Sequence, residues 1–238
     1  MGPSQAAGSQ EACHVCRMPP APRPLLAFLL SLVVLLSGGL PAAASTLEQR
    51  LEGWPAWSLP APLPRPGARD LVYPAWFEGN WRATSADLSG VEPTIEYAVR
   101  FIQDPSGRIV GDRTFNANSV GRALLGEQLQ RVRNDPQNPN RQLADLSGDR
   151  YLESTVVGRR SERPPMDQFL ADELSLQVLH GPGDPRVSQV ETLSRYVRID
   201  ADRIEAQQWQ VSYDSPAAGL IAEAKRHWSG TLVLERQP

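Results

Sequence analysis

The sequence predicts an all-β, mainly antiparallel domain of about eight strands with one short late helix, arranged as a closed barrel or a sandwich. Three observations lead there. Residues 94–101 alternate strictly between apolar and polar positions, turn clusters recur at short spacing from residue 71 onward, and no alternating strand–helix pattern of the kind a parallel sheet requires is present.

Residues 1–44 read as a signal peptide. Arg17 and Arg23 flank an apolar run of 12 residues at 25–36, and Ser37-Gly38-Gly39-Leu40-Pro41 breaks it ahead of Ala42-Ala43-Ala44. Basic flank, apolar centre and small-residue cleavage site stand in the order that export requires, and the run falls short of the ~20 residues of a comfortable membrane span. Cleavage after Ala44 leaves 194 residues with 22 basic and 26 acidic groups, a net charge of −4. Both cysteines, Cys13 and Cys16, leave with the peptide, so the mature chain has no thiol, no disulfide and no cysteine-based metal site. That acidic balance argues against nucleic acid as a partner. A chain of this length buries enough surface to fold without metal or disulfide.

Residues 45–69 hold Pro55, Pro60, Pro62, Pro64 and Pro66, a density that favours an extended path. Trp54 and Trp57 in the same stretch are costly to leave in water, which predicts an arm laid across the folded domain. Residues 70–238 then form a single β domain. In strand 94–101, Ile95, Tyr97, Val99 and Phe101 share one face, and Thr94, Glu96, Ala98 and Arg100 share the other. Asp104-Pro105-Ser106-Gly107 turns the chain, and residues 108–116 are expected to return as its partner.

Further strands are expected at 151–157, 174–179, 187–199, 203–213 and 228–236. Within 203–213 the apolar phase shifts from Ile204 and Ala206 to Trp209, Val211 and Tyr213, and a one-residue bulge near Gln207 and Gln208 would restore one inward face. Ser215-Pro216 opens the late helix, which carries Leu220, Ile221 and Ala224 at helical spacing and runs to His227. A weaker helix is expected over 167–172. Residues 134–142, with Pro136 and Pro139, read as an exposed loop.

The first strand opens with Trp76-Phe77-Glu78-Gly79-Asn80-Trp81, and its Gly79-x-Trp81 resembles the lipocalin and wider calycin signature. The resemblance implies a closed or nearly closed barrel, lipocalin-like. In it Gly79 lets the strand start tightly, Trp81 plugs one end, and Arg236, or else Arg226, packs over the indole. The signal peptide, Trp54-Pro55-x-Trp57 and Asp70-Leu71-Val72-Tyr73-Pro74-Ala75-Trp76-Phe77-x-Gly79-x-Trp81 together resemble an uncharacterised family of exported cyanobacterial and plastid proteins. That likeness implies the thylakoid lumen or periplasm and adds no catalytic residue.

Catalytic motifs are missing. The mature chain has only His180 and His227, in neither a His-Glu-x-x-His nor a His-x-His arrangement, and it has no GxSxG, P-loop or GxGxxG. No enzyme activity, metal or cofactor is therefore expected. Asp200-Ala201-Asp202 lacks the glycine and final glutamate of a calcium loop and reads as a turn. The functional candidate is the interior, with Tyr97, Phe101, Phe115, Trp209 and Tyr213 expected to contact a small apolar ligand such as a lipid, isoprenoid or pigment. The same composition also describes a plain packed core. The alternative partner is a membrane-complex protein, met by the Pro/Trp arm and by Arg159, Arg160 and Arg163.

Overall fold

The computed structural model describes residues 46–59, 61, 63–164, 167–213 and 222–238. The signal-peptide reading of residues 1–44 and the start of the late helix at Ser215-Pro216 fall outside the described residues.

Most of the chain forms one antiparallel sheet. Its strands are β2 (Gly79–Asp87), β3 (Ile95–Gln103), β4 (Ile109–Gly111), β5 (Leu129–Asp135), β6 (Asn138–Leu146), β7 (Arg150–Glu162), β8 (Gln168–Gly181), β9 (Gly183–Arg198), β10 (Arg203–Tyr213) and β12 (Arg226–Arg236). They lie in the order β4-β3-β2-β12-β10-β9-β8-β7-β6-β5. The sheet curls into a half-barrel of ten strands, not the closed eight-stranded barrel expected from the sequence.

The reason it stays open lies just after β4. Only three residues of the expected return strand pair with β3, and Arg113–Leu125 forms helix α2 instead. Asp112 starts the helix, its carboxylate accepting from the Phe115 N–H at 3.1 Å. The helix packs on both β3 and β5, filling the seam between the two ends of the sheet. Its polar side chains substitute for a neighbouring strand. Asn116 accepts from the Arg100 N–H at 2.7 Å and donates to the Arg100 carbonyl at 3.0 Å, and Ser119 Oγ accepts from the Ala98 N–H at 3.0 Å. An exposed sheet edge is thereby satisfied and covered. Asn116→Leu is expected to lower stability by about 1–3 kcal/mol in a urea melt, since it strips the Arg100 N–H of its partner; an unchanged midpoint would show that the seam does not depend on these bonds.

Alternation gives the sheet two different faces. On the concave face a core gathers Phe77, Trp81, Phe101, Phe169, Tyr196 and Leu234, all buried. Ring centroids of Phe77 lie 4.8 Å from Phe101 and 5.1 Å from Tyr196, within the favourable range for tilted aromatic pairs. The convex face carries a second core of Leu170, Leu174, Leu193, Val211 and Tyr213, covered by Leu47, Trp57 and Leu59 of the N-terminal arm.

The arm opens with helix α1 (Leu47–Glu52), although its prolines suggest an extended path. All of those prolines follow residue 54, and Thr46 with Gln49 forms a reciprocal capping box that starts the helix. Beyond it, β1 (Ser58–Leu59) pairs with β11 (Ala222–Glu223). Where the arm crosses β7, Gly158 leaves it room: a Cβ there would stand 2.9 Å from Leu63 Cβ.

Burial on both faces accounts for two further departures. Residues 168–172 belong to β8, not to a helix, because Phe169 and Ala171 fill the concave core while Leu170 fills the convex one. Strand β10 has no bulge at Gln207 or Gln208; its pairing with β9 and β12 runs without a register shift. Ile204 and Ala206 point into the concave core, and Val211 and Tyr213 into the convex one. Residues 222–227 lie in and around β11 and the start of β12, so the expected helix does not reach His227. Residues 134–142, finally, form the β5–β6 hairpin and not a loop, closed by Asp135, which accepts from the Gln137 N–H at 2.8 Å.

Candidate functional site

The strongest site is a cavity of about 230 Å³ between α2 and the concave face. Strand β3 contributes Tyr97 and Val99, the segment before β2 contributes Asp70, Leu71 and Tyr73, and α2 contributes Arg113, Asn116, Ala117 and Val120. Gln142 of β6 and Glu173 of β8 complete the opposite wall. Helix and sheet thus line an open cleft that is greasy on one side and ionic on the other.

Asp70, Arg113 and Glu173 form the ionic side, and Arg159 pairs with Glu173 from outside the lining. Arg113 Nε donates to Asp70 at 2.8 Å and its Nη2 lies 3.4 Å from Glu173; Arg159 Nε donates to Glu173 at 2.6 Å and its Nη1 to the Arg69 carbonyl at 2.6 Å. Burial alone would lower the Arg113 pKa, yet the charges of Glu173 and Asp70 outweigh it and raise the value above its usual one. Tyr97 is pushed up to about 12 by burial, and Tyr73 well above its ordinary value for the same reason. Both phenols therefore stay protonated at neutral pH.

Of the residues expected from the sequence to contact a ligand, Tyr97 lines this cavity. Phe101 sits in the concave core beside Tyr73 at 4.7 Å. Phe115 lies on α2 beneath the Arg100 guanidinium, 4.5 Å from its ring centroid. Trp209 and Tyr213 are on the opposite face under the arm, because β10 changes its buried face along its length. Sequence reasoning passed over Asp70, Arg113 and Glu173; only the packing of α2 against the sheet brings them together.

At the end of β2, Trp81 is 1% exposed and donates to the Phe77 carbonyl at 2.7 Å. Arg236, not Arg226, lies over its ring, 4.2 Å from the centroid, and donates to the Glu78 carbonyl at 2.7 Å. Gly79 adopts φ +121°, and a Cβ there would sit 2.7 Å from Arg236 Nη1, so glycine is required for the guanidinium to reach the indole. Arg159, Arg160 and Arg163 do not make an exposed patch: Arg159 is buried and paired with Glu173, Arg160 pairs with Glu162, and Arg163 reaches the Val72 carbonyl.

A second charged cluster lies under the arm. Glu191, fully buried, accepts from Arg50 of α1 at 2.8 and 2.7 Å and from the Tyr213 hydroxyl at 2.5 Å. Asp172 is equally buried, and neither of its oxygens has a donor while both carboxyls are ionised. Burial, followed by the Glu191 charge, pushes the Asp172 pKa well above the usual carboxylate range. A protonated Asp172 becomes the donor, and Glu191 accepts from it.

A model of a domain of unknown function, DUF6816, matches residues 87–227, more than half of the chain. The chain belongs to the DUF6816 family. No curated protein matches it. The match takes in β3 to β11 and α2, and with them every cavity residue except Asp70, Leu71 and Tyr73. It leaves outside the arm, Trp81 and Arg236. For this DUF6816 protein the cavity wall, more than the indole-capped end, is the part that the family description covers. Among the described residues no helix is long and apolar enough to cross a membrane.

Proposed function

We propose that this DUF6816 protein is exported, to the periplasm or thylakoid lumen, and binds a small apolar ligand in the cavity beneath α2. The observation that carries the reading is the cavity itself: Leu71, Tyr73, Tyr97, Val99 and Val120 leave about 230 Å³ unfilled while the neighbouring core is closely packed with aromatic rings. An apolar lining with a few fixed polar groups is the usual make-up of a small-molecule site. The volume lies below the roughly 300–1,000 Å³ of drug-sized pockets, which favours a short acyl or isoprenoid chain over a whole carotenoid or tetrapyrrole. Arg236 over Trp81 beside Gly79 supports a distant lipocalin-like relation, in a sheet that curls without closing. The basic flank and apolar run of residues 17–44 support export.

The test is mass spectrometry of organic extracts from protein purified from its own host. A bound lipid or isoprenoid is expected with the wild-type chain and is expected to vanish in Val120→Trp, which fills the cavity while the fold persists. Equal recovery from both would place the compound elsewhere and overturn the reading.

A second reading, an interaction factor for a membrane complex, is favoured by another surface. A groove of about 470 Å³ runs between Trp54, Pro55, His227 and Trp228, beside Leu88 and Val91, which are 59% and 83% exposed. Extracts free of any compound, with membrane subunits captured by the wild type and lost with Val91→Asp, would favour it.

A further inference from the structure

The groove at the start of β12 differs in chemistry from the cavity beneath α2. It measures about 470 Å³, and the indoles of Trp54 and Trp228 line it together with the His227 imidazole and the carboxylates of Asp87 and Glu92. No arginine or lysine is among its lining residues.

Local bonding fixes the charge. Asp87 Oδ2 accepts from the Ser89 hydroxyl and from the Val91 and Glu92 N–H groups at 3.0 and 3.1 Å, and its Oδ1 accepts from the Ser89 N–H at 3.2 Å. Those bonds, the Ser89 hydroxyl first, hold the Asp87 pKa below its ordinary value, so the group stays ionised. With four donors in place, Asp87 offers the groove a charge more than a free lone pair.

Packing fixes the rings. Trp228 Nε1 is buried without an acceptor, so its indole meets the groove through carbon and not through its N–H. Gly230 makes room for that ring, since a Cβ there would collide with Trp228 Cη2 and Cζ2. Trp54 is braced edge-on by Trp57 and by His227, with centroids 5.0 and 5.8 Å away.

Indole faces attract cations, and a quaternary ammonium, with methyl groups and no N–H to satisfy, suits such walls. A guanidinium gains most from two parallel bonds to a free carboxylate, and Asp87 is already committed. We propose that this groove binds a quaternary ammonium group, its methyls against Trp54 and Trp228 and its charge offset by Asp87 and Glu92. A free trimethylammonium compound and a choline-type lipid head group share that chemistry. The proposal does not depend on the cavity beneath α2.

Its test is an NMR titration of the chain carrying isotope-labelled tryptophan, in mildly alkaline buffer. The probes are choline and its uncharged isostere, in which a tert-butyl group replaces trimethylammonium. Choline is expected to shift the Trp54 and Trp228 indole signals, to leave that of buried Trp81 unmoved, and to bind at least about tenfold more tightly than the isostere. Trp54→Leu should weaken choline several-fold while the Trp81 signal keeps its position, which reports an intact fold. Sedimentation with phosphatidylcholine vesicles separates the sources: pelleting that choline competes away assigns a lipid head group, and choline binding without pelleting assigns a free compound. Equal affinity for the isostere, methylguanidinium binding as tightly as choline, or no shift at either indole overturns the proposal.

Discussion

Arg50→Ala is expected to destabilise the protein by about 3–5 kcal/mol at neutral pH, the usual consequence of removing one partner from a buried ion pair. Among the described residues its guanidinium is the only cation within hydrogen-bonding distance of Glu191, itself fully buried with Asp172 beside it. Without it, the Glu191 charge is left with only the neutral Tyr213 and Asp172 hydroxyls in an apolar layer of Leu170, Leu193 and Val211. Urea melts read the loss directly. A loss below about 1 kcal/mol at neutral pH would mean that water reaches the pair and the arm does not seal it.

The wild type should carry its own pH signature from Asp172. Its folded-state pKa lies above the unfolded value of 3.8, so folding takes up a proton in the window between them. Stability then falls as pH rises through that window, with the maximum contribution on its acid side. Asp172→Asn is expected to flatten this slope above the unfolded value, with little change in the acid-side stability. Carboxylates with lowered values, Asp87, Asp104, Asp135, Asp145 and Glu235, act in the opposite sense and only at lower pH.

The second large effect is expected at Trp81. Replacing it by alanine removes an indole that is 1% exposed, a hydrogen bond to the Phe77 carbonyl and the ring on which Arg236 rests. Truncating a buried aromatic of this size costs about 3–5 kcal/mol, and the stranded guanidinium adds to that. Trp81→Phe should restore most of the packing but not the hydrogen bond, leaving a residual loss of about 1–2 kcal/mol. Equal losses for the two substitutions would assign the effect to the hydrogen bond alone.

Strand β3 and its turn were legible because each obeys a one-sided rule. Its inward residues Tyr97, Val99 and Phe101 alternate with more exposed ones, and Asp104 organises the turn, its carboxylate accepting from the Ser106 and Arg108 N–H groups. Helix α2 was not legible: none of its residues is buried, so no apolar stripe marks it, and its task is met by Asn116 and Ser119. Only Asp112 signals its start. The first half of β8 was hidden for the reverse reason, since arm and core bury both of its faces and erase the alternation. The same cover explains Trp209 and Tyr213, whose phase change looked like a bulge. In the β5–β6 hairpin, Pro139 suggested a loop, but the pairing of β6 with β7 begins only at Arg141. The cavity's ionic wall was beyond reach because Asp70, Arg113 and Glu173 meet only through tertiary packing.

Helix α2 has one more consequence. A strand in its place would be stitched to β3 by an uninterrupted ladder, whereas here Asn116 and Ser119 meet the β3 backbone by side chain, with Arg113 tied to Asp70 and Glu173. Swinging the helix outward would break these side-chain contacts but no backbone pairing between strands. Outward movement of the helix would leave the register of the ten-stranded framework intact.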